Sequence, residues 1–450
     1  MQMNDEKLEL MRNEGIPRVL LKLGLPAMIG MLVSALYNVV DAYFVGGLGT
    51  SQMAAVAVAF PIGQIIIGLG MTFGSGAASY ISRLLGEGRR DRADQTASTA
   101  LCASLLTGLM CIVFALLFLD RLLIVLGATE TILPYARAYA VIYIGGSIFN
   151  IFNVTVNHTI TSEGASKLTM VAMIIGGSLN VFLDPVFIYT LGYGVQGAAI
   201  ATVISQAVTS LIYLWYLFSR RGALRFRIRN IAPDRQMFGE ILKIGIPGLV
   251  FQLLVSLSNG LTNTVASSYG DSAVAAMGVV TRILTVGNYI VFGFMRGFQP
   301  VAGFNYGAKR YDRLNEAVCT VLRWATWFCS VAAALILVFA SQIMMAFSSD
   351  SSVVEIGSRA LRGNAVLFVC YGFQIVYSVL FFATGKARQG SLLSIGRQGV
   401  FFIPLIAILP RFFGLNGVIA AQPVADILSA LLCFVLVKSH VPDHTAVTVK

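Results

Sequence analysis

Twelve long apolar runs set the terms on which this chain can fold. They lie at 19–46, 54–82, 95–119, 134–157, 168–191, 195–218, 241–268, 274–304, 316–340, 357–384, 391–410 and 415–438. Each is long enough to cross a hydrocarbon core, which takes about 20 residues of helix. In lipid the backbone must satisfy its own hydrogen bonds, so runs of this length predict helices rather than open strands. Charged residues are 12% of the 450, against about 25% in a soluble chain, and the mean hydropathy is +0.78. The predicted fold class is an all-α integral membrane protein with twelve transmembrane helices.

The net charge of +11 invites a nucleic-acid partner, but the basic residues crowd into short loops. Arg83, Arg89, Arg90 and Arg92 follow the second span. Arg220, Arg221, Arg225, Arg227, Arg229 and Arg235 fill the central connection, and Lys309, Arg310 and Arg313 follow the eighth span. The opposite loops hold only Arg121, Arg137, Arg359, Arg362 and Arg411. Such asymmetry predicts both termini and the central loop in the cytoplasm of a bacterial inner membrane, with lipid and no nucleic acid as the surroundings. Residues 1–18 mix acids with bases, and the apolar run behind them is too long for a signal peptide, so no cleavable leader is expected. The six cysteines sit inside apolar runs without disulfide or metal spacing.

The sequence repeats itself at an offset of 221 residues. Leu21-Lys22-Leu23-Gly24-Leu25-Pro26 matches Leu242-Lys243-Ile244-Gly245-Ile246-Pro247. Asn38 falls on Asn259, Gly49 on Gly270, Phe73 and Gly76 on Phe294 and Gly297, and Arg89, Asp91 and Arg92 on Arg310, Asp312 and Arg313. The expected organisation is an N-terminal segment (1–18), a first lobe (19–218), a linker (219–240), a second lobe (241–438) and a tail (439–450). Six spans per lobe make the repeat parallel, about an axis along the membrane normal, which suits two bundles rocking about a central site. Pro26 and Pro247 occupy matching places; each either begins its helix or permits a bend deeper in the span, and Pro26 is the candidate hinge.

Ionisable groups inside spans are costly and need a reason. Asp41 stands in span one behind Tyr37 and Asn38, which share its helical face. Asp184 stands in span five with Asn180 one turn before it, and Ala198 and Thr202 make a similar pair in span six. Span four offers Tyr139, Asn150, Asn153 and Asn157. Two carboxylates with amides and hydroxyls suit a hard monovalent cation or a shared proton. The second half has Thr262 where the first has Asp41; its embedded charges are read as Arg282, Arg296 and Asp426, with either arginine a partner for the acid or reaching towards water. Met28, Met31, Met53, Met71, Met170, Met173, Met277 and Met295 are candidates to line a permissive apolar cavity. The chain carries no phosphate-binding Gly-x-x-x-x-Gly-Lys loop, no His-Glu-x-x-His and no Gly-x-Ser-x-Gly. Neither an ATP-driven pump nor an enzyme is expected, and no cofactor.

The two lobes, the Asn38-x-x-Asp41-x-x-Phe44-Val45-Gly46 pattern and the Asn180-x-x-x-Asp184-Pro185 pattern together resemble the multidrug and toxic compound extrusion (MATE) family, nearest to its bacterial DinF-like and MepA-like branch. The likeness covers about residues 15–438. It implies a monomeric antiporter that exports amphipathic, often cationic compounds in exchange for H⁺ or Na⁺. It implies further that Asp41, Asn180 and Asp184, with the Thr202 hydroxyl and the Ala198 carbonyl, form the coupling-ion site. Tyr139, Asn153 and Asn157 match the family's supporting polar network. Gln252 and Asn259 stand in span seven where some members place acids. A lipid-linked oligosaccharide flippase of the same superfamily is the rival reading; it calls for fourteen spans and a strongly cationic cavity. A channel is disfavoured because no filter sequence repeats.

Overall fold

A computed structural model describes residues 2–219, 221–232 and 234–440. The expected tail beyond His440, and with it His444, lies outside them, as does Arg220 of the central loop. The first half comprises α1 (Gln2–Asn13), α2 (Ile16–Gly46), α3 (Thr50–Gly86), α4 (Arg90–Leu117), α5 (Leu119–Val125), α6 (Leu133–Ser162), α7 (Ser166–Pro185) and α8 (Gly194–Phe218). The second comprises α9 (Arg235–Ser267), α10 (Asp271–Gly307), α11 (Tyr311–Met345), α12 (Ser351–Ala383), α13 (Ala387–Ile395), α14 (Ile403–Phe413) and α15 (Leu415–His440). A wide π-type turn over Val186–Thr190 extends α7, and another over Gly396–Phe402 joins α13 to α14 into one span. Twelve spans among the described residues are long and apolar enough to cross a membrane.

Local chemistry explains several boundaries. Pro17 opens α2, where its missing N–H costs nothing. The Asp234 carboxylate accepts a hydrogen bond from the Gln236 N–H at 3.2 Å and starts α9 there, so the polar connection ends at 234 rather than at 240. Gly49 and Gly270, repeat-related, turn the chain from the first span of each lobe into the second with φ of 121° and 99°. Side chains rarely adopt that backbone, which explains glycine at both places.

The lobes meet at one end only. Of six buried apolar clusters among the described residues, a single one mixes both lobes: it joins Val19, Leu20, Ile81 and Leu84 to Ile241, Phe298, Val301 and Phe381. The remaining clusters each belong to one lobe. The shared cluster lies at the end that carries the basic loops. Here backbones touch: Gly76 lies against the Ile241 carbonyl, Gly297 against Gly24, and Gly86 against the Phe304 carbonyl, with no room for a Cβ. Polar ties cross the same seam. Arg83 pairs with Glu240 at 2.8 Å, the Ser79 hydroxyl donates to the Phe382 carbonyl, and Arg313 donates to the Glu14 carbonyl at 2.7 Å. The cleft between the lobes therefore opens away from the basic loops.

Candidate functional site

The first lobe gathers its polar side chains near the open end. Asp184, on the last turn of α7, is fully buried, and Asn180 one turn earlier is 3% exposed. The Asn180 amide Nδ2 donates to Asp184 Oδ1 at 3.3 Å and lies 3.5 Å from Thr202 Oγ1 on α8. Asp41 stands on α2 one turn beyond Tyr37, a residue of that helix that packs against Gly177 of α7. The Tyr139 and Tyr143 rings on α6 stack at 5.5 Å between centroids. Gly177 lets α7 approach α2 here, since a Cβ would stand 3.2 Å from the Tyr37 ring. Ala198, buried beside Tyr139 and Val45, forms the apolar back wall.

Three oxygens on α2 and α7 of this lobe are buried with no hydrogen-bond partner: Asp41 Oδ1, Asn180 Oδ1 and Asp184 Oδ2. All are acceptors. Buried acceptors without donors are costly and uncommon. A proton, or a hard cation that prefers oxygen ligands, satisfies such a set.

Not every expected member joins. Asn38 is exposed and donates to the Ser34 carbonyl of its own helix at 2.6 Å. Asn153 is tied to α8 through the Gln206 carbonyl and the Ser210 hydroxyl, each at 2.8 Å. Asn157 donates to the Tyr213 hydroxyl at 2.9 Å. The reason is length: on α6, Asn153 lies 14 residues from Tyr139, about 21 Å at the helical rise. One pocket cannot hold both. Pro26 lies inside α2, toward the seam and away from the acids.

The second lobe departs further from expectation. Asp426 pairs with neither Arg282, which is exposed, nor Arg296. Its partner is Arg397, at 2.7 Å and 3.3 Å from the two carboxylate oxygens, with Gln422 adding a third bond at 2.8 Å. Arg397 escaped notice because a single arginine hardly dents the apolar run 391–410. Arg296 instead crosses to the first lobe, where Nη1 donates to Asn157 Oδ1 at 3.2 Å and Nη2 lies 3.0 Å from His158 Nε2. Asn259 is exposed and Gln252 half-buried. Glu163 was also overlooked; fully buried, it accepts from the Tyr216 hydroxyl at 2.5 Å and the Leu224 N–H at 2.7 Å, closing the basic end of the first lobe.

Arg296 borders a cavity on the floor of the cleft, of about 900 Å³ including its mouth. Phe251, Phe292 and Met295 wall it from the second lobe, and Met71, Ser75 and His158 from the first. Met71 and Met295 alone of the eight methionines border it; Met277 is buried within the second lobe, and Met173 packs against Gly30.

A family profile described as MatE matches residues 26–186 and again 247–408, once per lobe. The chain belongs to the MATE family. It is a multi-pass membrane transporter and not an enzyme. The multidrug export protein MepA of Staphylococcus haemolyticus (strain JCSC1435) is 29% identical over 438 residues, spanning 97% of this chain and 96% of that one. Among solved structures, the outward-facing conformation of a multidrug resistance MATE transporter of the MOP superfamily matches with a TM-score of 0.90 and 31% identity, covering 96% of each chain. A MOP superfamily transporter from Pyrococcus furiosus, described as having a binding pocket of reverse polarity that suggests a different function, matches with a TM-score of 0.91 and 30% identity. It covers 97% of this MATE chain and 98% of its own.

Proposed function

We propose that this MATE transporter is a secondary-active efflux antiporter in a bacterial cytoplasmic membrane. It exports amphipathic small molecules in exchange for H⁺ or Na⁺ and works as a monomer with both termini in the cytoplasm. The carrying observation is a set of three buried acceptor oxygens without partners in the first lobe, on Asp41, Asn180 and Asp184, the last two residues in hydrogen-bond contact. The multidrug export activity named for the MepA relatives supports the efflux half of the reading.

With the cleft open away from the basic loops, the pocket faces the side from which a cation or proton enters. Occupancy neutralises the acids and removes the cost of burying them, and so favours a conformation in which α2 moves against α7, with Pro26 the place for the bend. Substrate favours the other arrangement. Coupling is then reciprocal, each ligand weakening the other by the same factor. Thr202 and the Ala198 carbonyl complete the oxygen set if the ion is Na⁺; a proton needs only the carboxylates. The rival flippase reading calls for fourteen spans, and the described residues hold twelve.

The test is uptake of fluorescent amphiphiles of either charge into proteoliposomes, driven separately by a pH gradient and by a Na⁺ gradient. One gradient should drive uptake severalfold above the undriven level. Equal uptake with both gradients collapsed would remove the antiport reading.

A further inference from the structure

The cavity beside the second lobe carries a charge, that of Arg296, whose guanidinium lies 5.9 Å from the Phe292 ring and which no carboxylate among the described residues balances. Arg296 donates to Asn157 Oδ1 and lies 3.0 Å from His158 Nε2, and its Nε is buried with no partner. Among the described residues no carboxylate lies within ion-pairing distance of it, and none lines the cavity. The other arginine there, Arg397, is already paired: Asp426 accepts from its Nε and Nη2 along one edge of the guanidinium, and the Tyr371 ring lies 4.5 Å from it. One pair is neutral, and one guanidinium is not. An uncompensated charge at membrane depth costs several kcal/mol unless something repays it.

Gln374, in the wall of the same cavity, carries a second unpartnered atom. Gln374 is 4% exposed; its Nε2 donates to the Leu393 carbonyl at 2.9 Å, while its Oε1 is buried without a donor. The cavity thus offers a planar cation and the Gln374 acceptor within largely apolar and aromatic walls, which Ser75, Gln299, Ser378 and Ser394 also line. Pockets of this make bury most of a small ligand and fix it by a few polar groups.

We infer that this cavity is a substrate site selective for amphipathic anions: an apolar or aromatic body bearing one carboxylate, sulfonate or phosphate, with a hydroxyl or amide donor elsewhere on the molecule. The Arg296 guanidinium takes the anionic group through its fork of N–H donors, and Gln374 Oε1 takes the donor. Cations are rejected by the same charge, since a like charge placed beside Arg296 in a poorly hydrated cavity is repelled. The inference rests on the transport reading above and deepens it: it assigns the sign of the cargo's charge, opposite to the often cationic cargo that the family resemblance implies. The coupling ion and the cargo then occupy separate places of opposite sign, the first lobe's acids and the second lobe's arginine.

The test is binding, which needs no gradient. The full-length protein in phosphatidylcholine nanodiscs is titrated by calorimetry with three naphthalene derivatives of one size, bearing a sulfonate, a neutral sulfonamide or a trimethylammonium group. The sulfonate should bind at least about tenfold more tightly than the ammonium compound, a difference of about 1.4 kcal/mol. Arg296→Gln should erase that preference and Arg296→Lys should keep part of it. The Lys variant, which preserves the charge, guards against loss of fold in the Gln variant. Equal or reversed affinity in the wild-type protein overturns the inference, as does a preference that survives in Arg296→Gln.

A competition arm identifies the source of the anion. Displacement of the sulfonate by short-chain phosphatidylglycerol and not by phosphatidylcholine assigns the site to a lipid headgroup. Failure of both lipids to displace it assigns it to soluble acids. Either result keeps the anionic site. Asp41→Asn should retain the preference, so loss of coupling and loss of charge selection are read separately. Anion preference without gradient-driven uptake sinks the antiport reading alone, and uptake without anion preference sinks this inference alone.

Discussion

The two lobes descend from one repeat, yet their buried charges never coincide. Asp41 faces Thr262 in the repeat, and Asp184 falls against the apolar stretch around Leu405. Arg296 falls on Ser75, and Arg397 on the Gly176-Gly177 pair. Depth differs as well. Asp41 lies 25 residues into α2, about 37 Å from the seam end, whereas Arg296 is only 11 residues from the seam end of α10, about 17 Å. One lobe keeps acids with unpartnered oxygens near the open end; the other keeps arginines near the closed end, one paired and one not. Duplication supplied two equal scaffolds, and the work was then divided between them by a few substitutions at positions the fold does not require.

The comparison breaks first at Asp41. Asp41→Asn keeps size and removes the ionisable group, so gradient-driven uptake should fall about 100-fold, toward the upper end of known coupling free energies. Proteoliposome uptake and expression level measured together check this; uptake of wild-type magnitude would show that the division of labour is wrong. Adding Thr262→Asp should not restore it, because Asn180 and Thr202 have no equivalents around position 262.

The next effect is on stability, in the other lobe. Asp426→Asn leaves Arg397 charged, buried and half-satisfied, a loss of about 3–5 kcal/mol for a broken buried pair. Thermal unfolding in detergent should show a clear fall in midpoint. Asp426→Asn combined with Arg397→Gln should recover much of it, since the pair's role is to neutralise itself. In the first lobe Asp184→Asn should change the midpoint far less, because no cationic partner is left behind.

The smallest effect lies at the seam. Hydrogen bonding from the Gln236 N–H, and then from Arg92, holds the Asp234 carboxyl below its usual value. A carboxyl depressed in the folded state stabilises fully above its unfolded pKa of about 3.9 and loses that contribution as pH falls through the folded value. Asp234→Asn, which keeps the helix cap, should lower the midpoint slightly at pH 6. The gap to wild type should close as the pH drops below about 4.

The spans, the repeat and the neighbours one turn apart were legible in the sequence, because each is a matter of period along one helix. Asn180 and Asp184 share a face by spacing alone, and they touch. What one helix shows to another was not legible. The Asn157–Arg296 contact links residues 139 positions apart and depends on the rotation of α6 and α10 about their axes. Asn153 and Asn157 were grouped with Asp41 by residue type, and the length of α6 separates them from it. Arg397 vanished into the average hydropathy of its span, and only a three-dimensional view supplies the acid that keeps it there.

The glycine seam has an electrical meaning. Where Gly76, Gly86 and Gly297 press against opposing backbone, the gap is too narrow for a file of water molecules, and such a file is what would let protons slip across uncounted. The antiport proposed above needs an insulator between its two aqueous faces at every instant. Here that insulator is made by leaving side chains out.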